Sequence, residues 1–359
     1  MEYDHRNTVL MRAREPHSPS HWLLGLILLT SLGIDGCGLI YDAVQRVAPV
    51  STDELDSICR SHHVQIGIST EPAPPFVFPA IWTDEGARIT GLDVEVVKYM
   101  TTALSQHCGT AVAPVIHLVR FQDLFMLLNE GQLDLFVSTL AANTPSPARA
   151  GFAYSNPYFY NGDTSGIAQR PEIVERVRAN LRAQAESPPP DGLVANERAL
   201  SGLTIAVQKL TAAHLYAEAN LTTSRLVLCD SLPAAFEYAD ASTDPAIDVI
   251  LGTEPVLKFM VASVRKDWRL LTLDTGSPLF LTRDQYAVVM AEDSYRLRWF
   301  INNVLFKLDE SGKLAEMRKR WLEESYAFPR RAAAEGLPFD VEKMVEHYDQ
   351  GKCRVEPAR

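Results

Sequence analysis

The stretch from Val137 to Phe159, VSTLAANTPSPARAGFAYSNPYF, carries a single charged side chain, Arg149. It begins as a buried strand and then breaks into Thr, Pro, Ser and Asn, where an arginine is not needed for solubility. Two readings are open, a solvated loop cation or the anchor of a ligand site. An arginine fork grips a carboxylate through two parallel charge-assisted hydrogen bonds, and that is the chemistry the second reading would supply. Other reactive groupings are sparse. His62-His63 and His107-Cys108 are isolated pairs without further ligands at metal spacing, so no metal site is expected. The sequence holds neither a phosphate-cradling G-x-x-x-x-G-K-[ST] nor a G-x-S-x-G nucleophile elbow, and no cofactor is expected.

The N-terminal region bears on compartment. Arg12 and Arg14 follow Met11, a candidate start, and lead into the apolar run Trp22 to Leu32 with small residues ahead of Cys37. About a dozen apolar residues are too few to span a bilayer and suit a secretory signal. Ile34-Asp35-Gly36-Cys37 is similar to a bacterial lipobox, which makes Cys37 a candidate for lipidation; Asp35 departs from the usual residue there. Plain cleavage near Gly36 and an uncleaved signal-anchor are the alternatives, and all three export the rest of the chain. Cys59, Cys108, Cys229 and Cys353 would then meet an oxidising compartment, and none lies in a C-x-x-C pair. Cys59 precedes the strand-like VQIGIS and Cys108 the strand-like AVAPVIHL. If those strands are parallel neighbours, both thiols share one sheet edge, so a Cys59–Cys108 bridge is one expectation and free buried thiols the other.

The elements that must position these residues follow a βαβ rhythm. At 359 residues, with 47% apolar and 22% charged residues, the chain should form two compact units or one large one. A net charge of −11 with interspersed signs argues against a nucleic-acid surface. After a short helix, DELDSICRS, come VQIGIS (strand), DVEVVKYMTTAL (helix), AVAPVIHLV (strand), FQDLFMLLNEG (helix) and LDLFVSTL (strand). GDTSGIAQR reads as strand, EIVERVRANLRAQAE as an amphipathic helix, and SPPPDG as an exposed loop. The rhythm then restarts through LTIAVQ, TAAHLYAEANL, RLVLCD, SLPAAFEYAD, AIDVILG and EPVLKFMVASV. DQYAVVMA and two helices broken at Gly312 follow, and the polar tail after Pro329 is unassigned. Strands alternating with helices predict mostly parallel sheets flanked by helices, in two lobes around a cleft.

In their order these segments resemble the bacterial extracellular solute-binding proteins of the polar-amino-acid class, the capture component of ABC importers. DELDSICRSHHVQIGIS is similar to the family's entry helix and first strand. PPF (Pro74 to Phe76) with GLDVEVVKYM resembles PPF…GFDVDLAKAI, and RFQDLFMLLNEGQLDLFVSTL resembles its aromatic-D-x-L…L-x-x-G-x-x-D pair. TPSPAR…AYSNPYF resembles TPER…FSDPYY, and LSGLTIAVQ…AIDVILGTEPVL with LFKLDESGKLAEMRKRWL matches the second lobe and closing helices. The likeness covers roughly residues 52–325.

The resemblance implies an α/β, two-lobed, type II periplasmic-binding fold with a hinge of two crossing segments. It divides the chain into a signal peptide (1–36), a tether and entry helix (37–60), lobe 1 (61–164 plus 284–325), lobe 2 (165–283, with an insertion at about 171–199) and a tail (326–359). It implies a non-enzymatic, monomeric periplasmic protein that closes over a small carboxylate-bearing solute (an amino acid, dicarboxylate or related anion) and delivers it to a membrane permease. Arg149 matches the family's carboxylate anchor, Ser138 and Thr139 its ligand-touching strand end, and Thr211 its second-lobe contact. Phe121 matches a stacking aromatic, and Phe76 lies near the same wall. Each has a plainer role open to it: core aromatics for Phe76 and Phe121, an N-cap for Thr211, strand-end residues for Ser138 and Thr139.

Departures from the pattern matter for the ligand. The LAANTPSPAR segment is about three residues longer than the family's, and Ala73 replaces an aromatic. The acidic residue that holds the ligand ammonium falls at Thr253, while Glu254 beside it would point away on a strand. Lys209 replaces a glycine near the carboxylate end, which favours a dicarboxylate or another anion. Two alternatives share the fold. Periplasmic cyclohexadienyl dehydratases have a closing element similar to RKRWLEESY, but their catalytic glutamate falls at Val256, leaving Glu254 as the nearby carboxylate. An orphan sensory lipoprotein is the other.

Overall fold

The structure, a computed structural model, describes residues 54–144, 149–185, 196–241, 246–324, 335–339 and 352–356. The expected signal segment, Cys37, most of the tether, the SPPPDG loop and much of the tail lie outside the described residues, all of which fall within one compact unit, Asp53–Arg359.

The first half runs α1 (Glu54–Ser61), β1 (His63–Ser69), β2 (Ile81–Thr83), β3 (Gly86–Ile89), α2 (Leu92–Cys108), β4 (Ala113–Val119), α3 (Phe121–Asn129), β5 (Leu135–Phe136) and β6 (Phe152–Tyr154). The second runs β7 (Thr164–Ala168), α4 (Pro171–Ala185), α5 (Asn196–Ala199), β8 (Thr204–Gln208), α6 (Ala212–Asn220), β9 (Arg225–Cys229), α7 (Leu232–Ala241), β10 (Val249–Thr253), α8 (Glu254–Ser263) and β11 (Arg269–Leu270). The chain then returns through β12 (Val289–Ala291), α9 (Tyr295–Glu310), α10 (Lys313–Leu322), β13 (Leu337–Pro338) and β14 (Cys353–Val355).

β1 (HVQIGIS) buries Val64 and every residue from Ile66 to Ser69, side chains of both faces included, as a strand covered on both faces does. It sits between β4 and β5, parallel to both, in a sheet of order β4-β1-β5-β12-β6. The second sheet has the order β11-β7-β10-β8-β9-β14, with β10, β8 and β9 parallel. The chain leaves the first sheet after β6 and returns after β11, and the two crossings touch at the bridge between Phe159 and Tyr286. The crossing is buried and polar: Asp163 accepts from Asp284 N–H (2.9 Å), and its carbonyl accepts from Glu254 N–H (2.8 Å) at the start of α8. The carboxyl ends of β1, β5, β8 and β10 are thus brought to one cleft.

Two features escaped the sequence reading. The turn-rich segment after β1 contains the β2–β3 hairpin. The tail also contributes strands on both sides of the molecule: β13 pairs with β3, while β14 pairs with β9 and joins the second sheet. Phe339 is buried beside the hairpin, and Lys98 Nζ donates to Glu335 O (2.8 Å).

Two disulfides are formed. Cys59–Cys108 ties α1 to the end of α2 (Cα–Cα 5.2 Å), beside the parallel pair β1–β4, and Cys229–Cys353 ties β9 to β14 (Cα–Cα 4.0 Å). Non-reducing peptide mapping should therefore recover both linked pairs. Cys353→Ser is expected to lower stability by about 2–4 kcal/mol, because the cross-link closes a long loop in the unfolded chain. A melting curve unchanged by that substitution would contradict this.

Candidate functional site

A cleft of about 750 Å³, counting the part open to solvent, lies where the strand ends of the two sheets meet. Its lining includes Arg149, Ser138, Thr139, Phe121, Thr211 and Thr253, six of the eight residues singled out for ligand contact.

Arg149 dominates the electrostatics. Its side chain is 6% exposed and donates from Nη1 to Ala141 O (2.7 Å) and from Nη2 to Leu210 O (2.8 Å). Leu210 belongs to the β8–α6 turn, so this second bond joins the two sides of the cleft. Nε is buried with no partner, and among the described residues no carboxylate lies in salt-bridge contact with the guanidinium. Burial lowers its pKa, with only longer-range support from Tyr154 and Asp284. A desolvated cation with a free edge donor needs an acceptor that the described residues do not provide.

The floor around it is held from below. Ser69 N–H donates to Ser138 Oγ (3.2 Å). Thr139, with φ 47°, takes the left-handed backbone conformation that side chains rarely adopt, and its N–H donates to Asp93 Oδ2 (2.8 Å). Asp93 is fully buried on the first turn of α2 and also accepts from Tyr158 OH (2.8 Å). Burial raises its pKa to about 7, against the opposing pull of those two hydrogen bonds. Between about pH 4 and 7 the folded protein thus holds a proton there that the unfolded chain, near 3.8, has lost. The stabilisation is complete below about pH 4 and is lost as pH rises towards 7. Melting temperature measured from pH 5 to 8 should fall for the wild type relative to Asp93→Asn; a constant difference would refute the assignment.

Thr211 N-caps α6: Oγ1 accepts from His214 N–H (3.3 Å) and donates to Gln208 O (2.7 Å), so the cap and the cleft position coincide. Thr253 and Tyr286 share a hydroxyl–hydroxyl hydrogen bond, and both hydroxyls reach Gly162 O in the first crossing. The position where an ammonium partner was expected is therefore engaged with the hinge.

Two residues lie elsewhere. Phe76 is fully buried, packed edge-on against Phe159 (5.0 Å) and Tyr286 (5.2 Å) behind the cleft rather than on its wall. Lys209 Nζ donates to Asp230 Oδ1 (2.6 Å), and it is not among the lining residues. Its ammonium is thus engaged with Asp230 rather than with the cleft lining. Glu254 begins α8 and lines a separate groove with Lys258 and Arg318, while Val256 faces the cleft.

The sequence reading missed Glu71. This carboxylate is 7% exposed, lines the cleft, and accepts from Phe121 N–H (3.0 Å) at the start of α3 and from Ser69 Oγ. Burial pushes its pKa up, opposed by those hydrogen bonds. Its signal was available, since STEPAPPF contains one carboxylate and follows a parallel strand's carboxyl end. Among the described residues the cleft therefore offers one cation and one carboxylate amid mostly apolar walls, including Leu140, Leu232, Leu251 and Val256. Among the described residues there is no cluster of side chains that could hold a metal ion.

Comparisons with known proteins agree with this architecture. An amino acid ABC transporter substrate-binding protein from Streptococcus pneumoniae, bound to L-arginine, superimposes with TM-score 0.59 at 20% identity, over 77% of this chain and 100% of its own. A mutant of ArgBP from T. maritima gives TM-score 0.57 at 22% identity, over 75% and 99%. AncCDT-1, described as an ancestral amino acid-binding protein and a precursor of cyclohexadienyl dehydratase, gives 0.56 at 15% identity, over 75% and 100%. At these identities the likeness is one of fold. No curated protein sequence matches the chain. The family model of the bacterial extracellular solute-binding proteins, family 3, matches residues 64–324. With most of the chain covered and the two-sheet cleft of a type II periplasmic binding fold in place, the protein belongs to that solute-binding family.

Proposed function

We propose that the protein captures a small solute carrying one carboxylate and one cationic group, closes its lobes over it, and passes it to a membrane importer as a monomer. The observation that carries this is Arg149, a buried guanidinium with an unpartnered Nε. A carboxylate docked side-on would take Nε and share Nη2, replacing Leu210 O as the link between the two sides of the cleft. Because both lobes would then hold the ligand, its binding favours the closed arrangement. Glu71 supports a zwitterion over a dicarboxylate: a cationic group facing it would stabilise its ionised form, whereas a second carboxylate would meet a like charge. The arginine-bound Streptococcus pneumoniae protein is consistent with such a ligand.

A thermal-shift screen of amino acids, dicarboxylates, opines, prephenate and arogenate tests this. An amino acid present at 100 times its dissociation constant should stabilise the protein by about 2.7 kcal/mol. Stabilisation by dicarboxylates alone would overturn the zwitterion reading. Glu71, a cleft carboxyl whose burial favours the protonated form, gives a dehydratase a general acid. Turnover of prephenate or arogenate in the same screen would establish that second reading.

The proposal places the protein outside the cytoplasm, tethered through lipidated Cys37. Cys37→Ser is expected to move the protein from the membrane to the soluble fraction on cell fractionation. Retention of the variant in the membrane would favour an uncleaved anchor.

A further inference from the structure

Helix α9 is amphipathic in an unusual sense. Leu297, Ile301, Val304, Leu305 and Leu308 form its buried face. The residues pointing directly away from that face should be its most polar, yet they include Tyr295, Trp299 and Phe306, which are 63%, 71% and 62% exposed. At 3.6 residues per turn these three side chains fall within about 40° of one another and span about 16 Å along the axis. Large exposed aromatics aligned in this way mark an interaction surface.

We propose that this face of α9 rests in the headgroup region of the membrane to which the chain is tethered. The inference depends on the membrane-tether reading above. α1, the first described element after the tether, packs against α9 and is tied to it by the ion pair of Asp56 with Arg296. The sixteen residues between Cys37 and Glu54 reach at most about 55 Å even fully extended, which leaves α1 and the α9 face within range of the lipid surface. Tyrosine and tryptophan are the side chains best suited to that boundary, with an apolar ring and a polar edge. The guanidinium of Arg298 lies over the Tyr295 ring (5.6 Å), placing a cation at the same level. Arg296, Arg298 and Lys307 are offset by Glu292, Asp293, Asp309 and Glu310, so aromatic insertion rather than net charge carries the contact. Tethering raises the local concentration of lipid, so a contact too weak to hold the untethered protein would be populated.

The test uses the full chain, purified with its anchor and reconstituted in vesicles of phosphatidylethanolamine and phosphatidylglycerol containing brominated phosphatidylcholine. The fluorescence difference between wild type and Trp299→Phe isolates the emission of Trp299. That emission should be quenched by brominated lipid, protected several-fold from aqueous iodide, and little affected by salt. In Tyr295→Ser/Phe306→Ser it should become accessible to iodide while the melting temperature is unchanged. Protein that stays on the vesicles with Trp299 open to iodide overturns the proposal alone. Protection that scales with protein density rather than with lipid also overturns it, assigning the face to a second copy. Protein that washes off the vesicles refutes the tether and the proposal together.

Discussion

Arg149→Met is expected to weaken binding of the best ligand on the order of 100- to 1000-fold, about 3–4 kcal/mol, while leaving the ligand-free protein as stable as before or slightly more so. The two effects separate because, among the described residues, the guanidinium is buried without a counter-charge in contact. Methionine fills similar volume and removes an uncompensated buried cation, at the expense of its hydrogen bonds to Ala141 and Leu210. Arg149→Lys keeps the charge without the planar fork and should fall between the two. Calorimetric titration and thermal melts on the same preparations give both quantities. A large loss of stability with affinity intact would make Arg149 a structural strut and remove the basis for the carboxylate site.

Gly91→Ala should be the most damaging single methyl group in the first lobe. A Cβ at Gly91 would lie 1.9 Å from Phe76 O and 2.9 Å from Val77 N, and the residue's φ of +141° is one that side chains rarely adopt. Phe76 O accepts from Asp93 N–H and Pro75 O from Leu92 N–H, so this contact seats the Pro-Pro-Phe loop on the first turn of α2. Displacing it disturbs Asp93, which holds Thr139 at the cleft floor. A loss of about 3–5 kcal/mol is expected, roughly 10 °C in melting temperature, together with weaker ligand binding. Gly109→Ala serves as control: its φ of +67° is also positive, but no atom lies within 4 Å of the added Cβ. A penalty at Gly91 no larger than at Gly109 would mean that the loop yields without cost.

How much of this was legible depended on the distance over which each feature is specified. α2, α3, α9, β8 and β10 are announced by their own periodicity, and the rhythm of alternating strands and helices gave the two-sheet architecture. Arg149 stood out because its neighbours are uncharged. The pairing of Lys209 is not legible in sequence, because Asp230 lies 21 residues away and is brought alongside by the pairing of Gln208 with Cys229. A register of this kind is a property of the assembled sheet. Phe76 belongs to the family-like Pro-Pro-Phe motif near the ligand wall, but only the assembled hinge shows that its side chain packs on Phe159 and Tyr286. The tail strands were illegible for a related reason: each is two or three residues long and acquires its conformation only from the strand it joins.

The late position of β14 has a consequence for how the protein comes into being. Without it, β9 would be the outer strand of the second sheet, exposing the backbone donors and acceptors of RLVLC, an apolar edge of the kind that invites pairing between chains. Cys353 lies 124 residues after Cys229 in sequence, so the covering strand is synthesised long after the edge it covers. A nascent chain would therefore carry an adhesive edge over the whole interval between the two strands. Cys353 then fastens the cover to Cys229, so protection of this edge from pairing with other chains is acquired well after the edge itself is made.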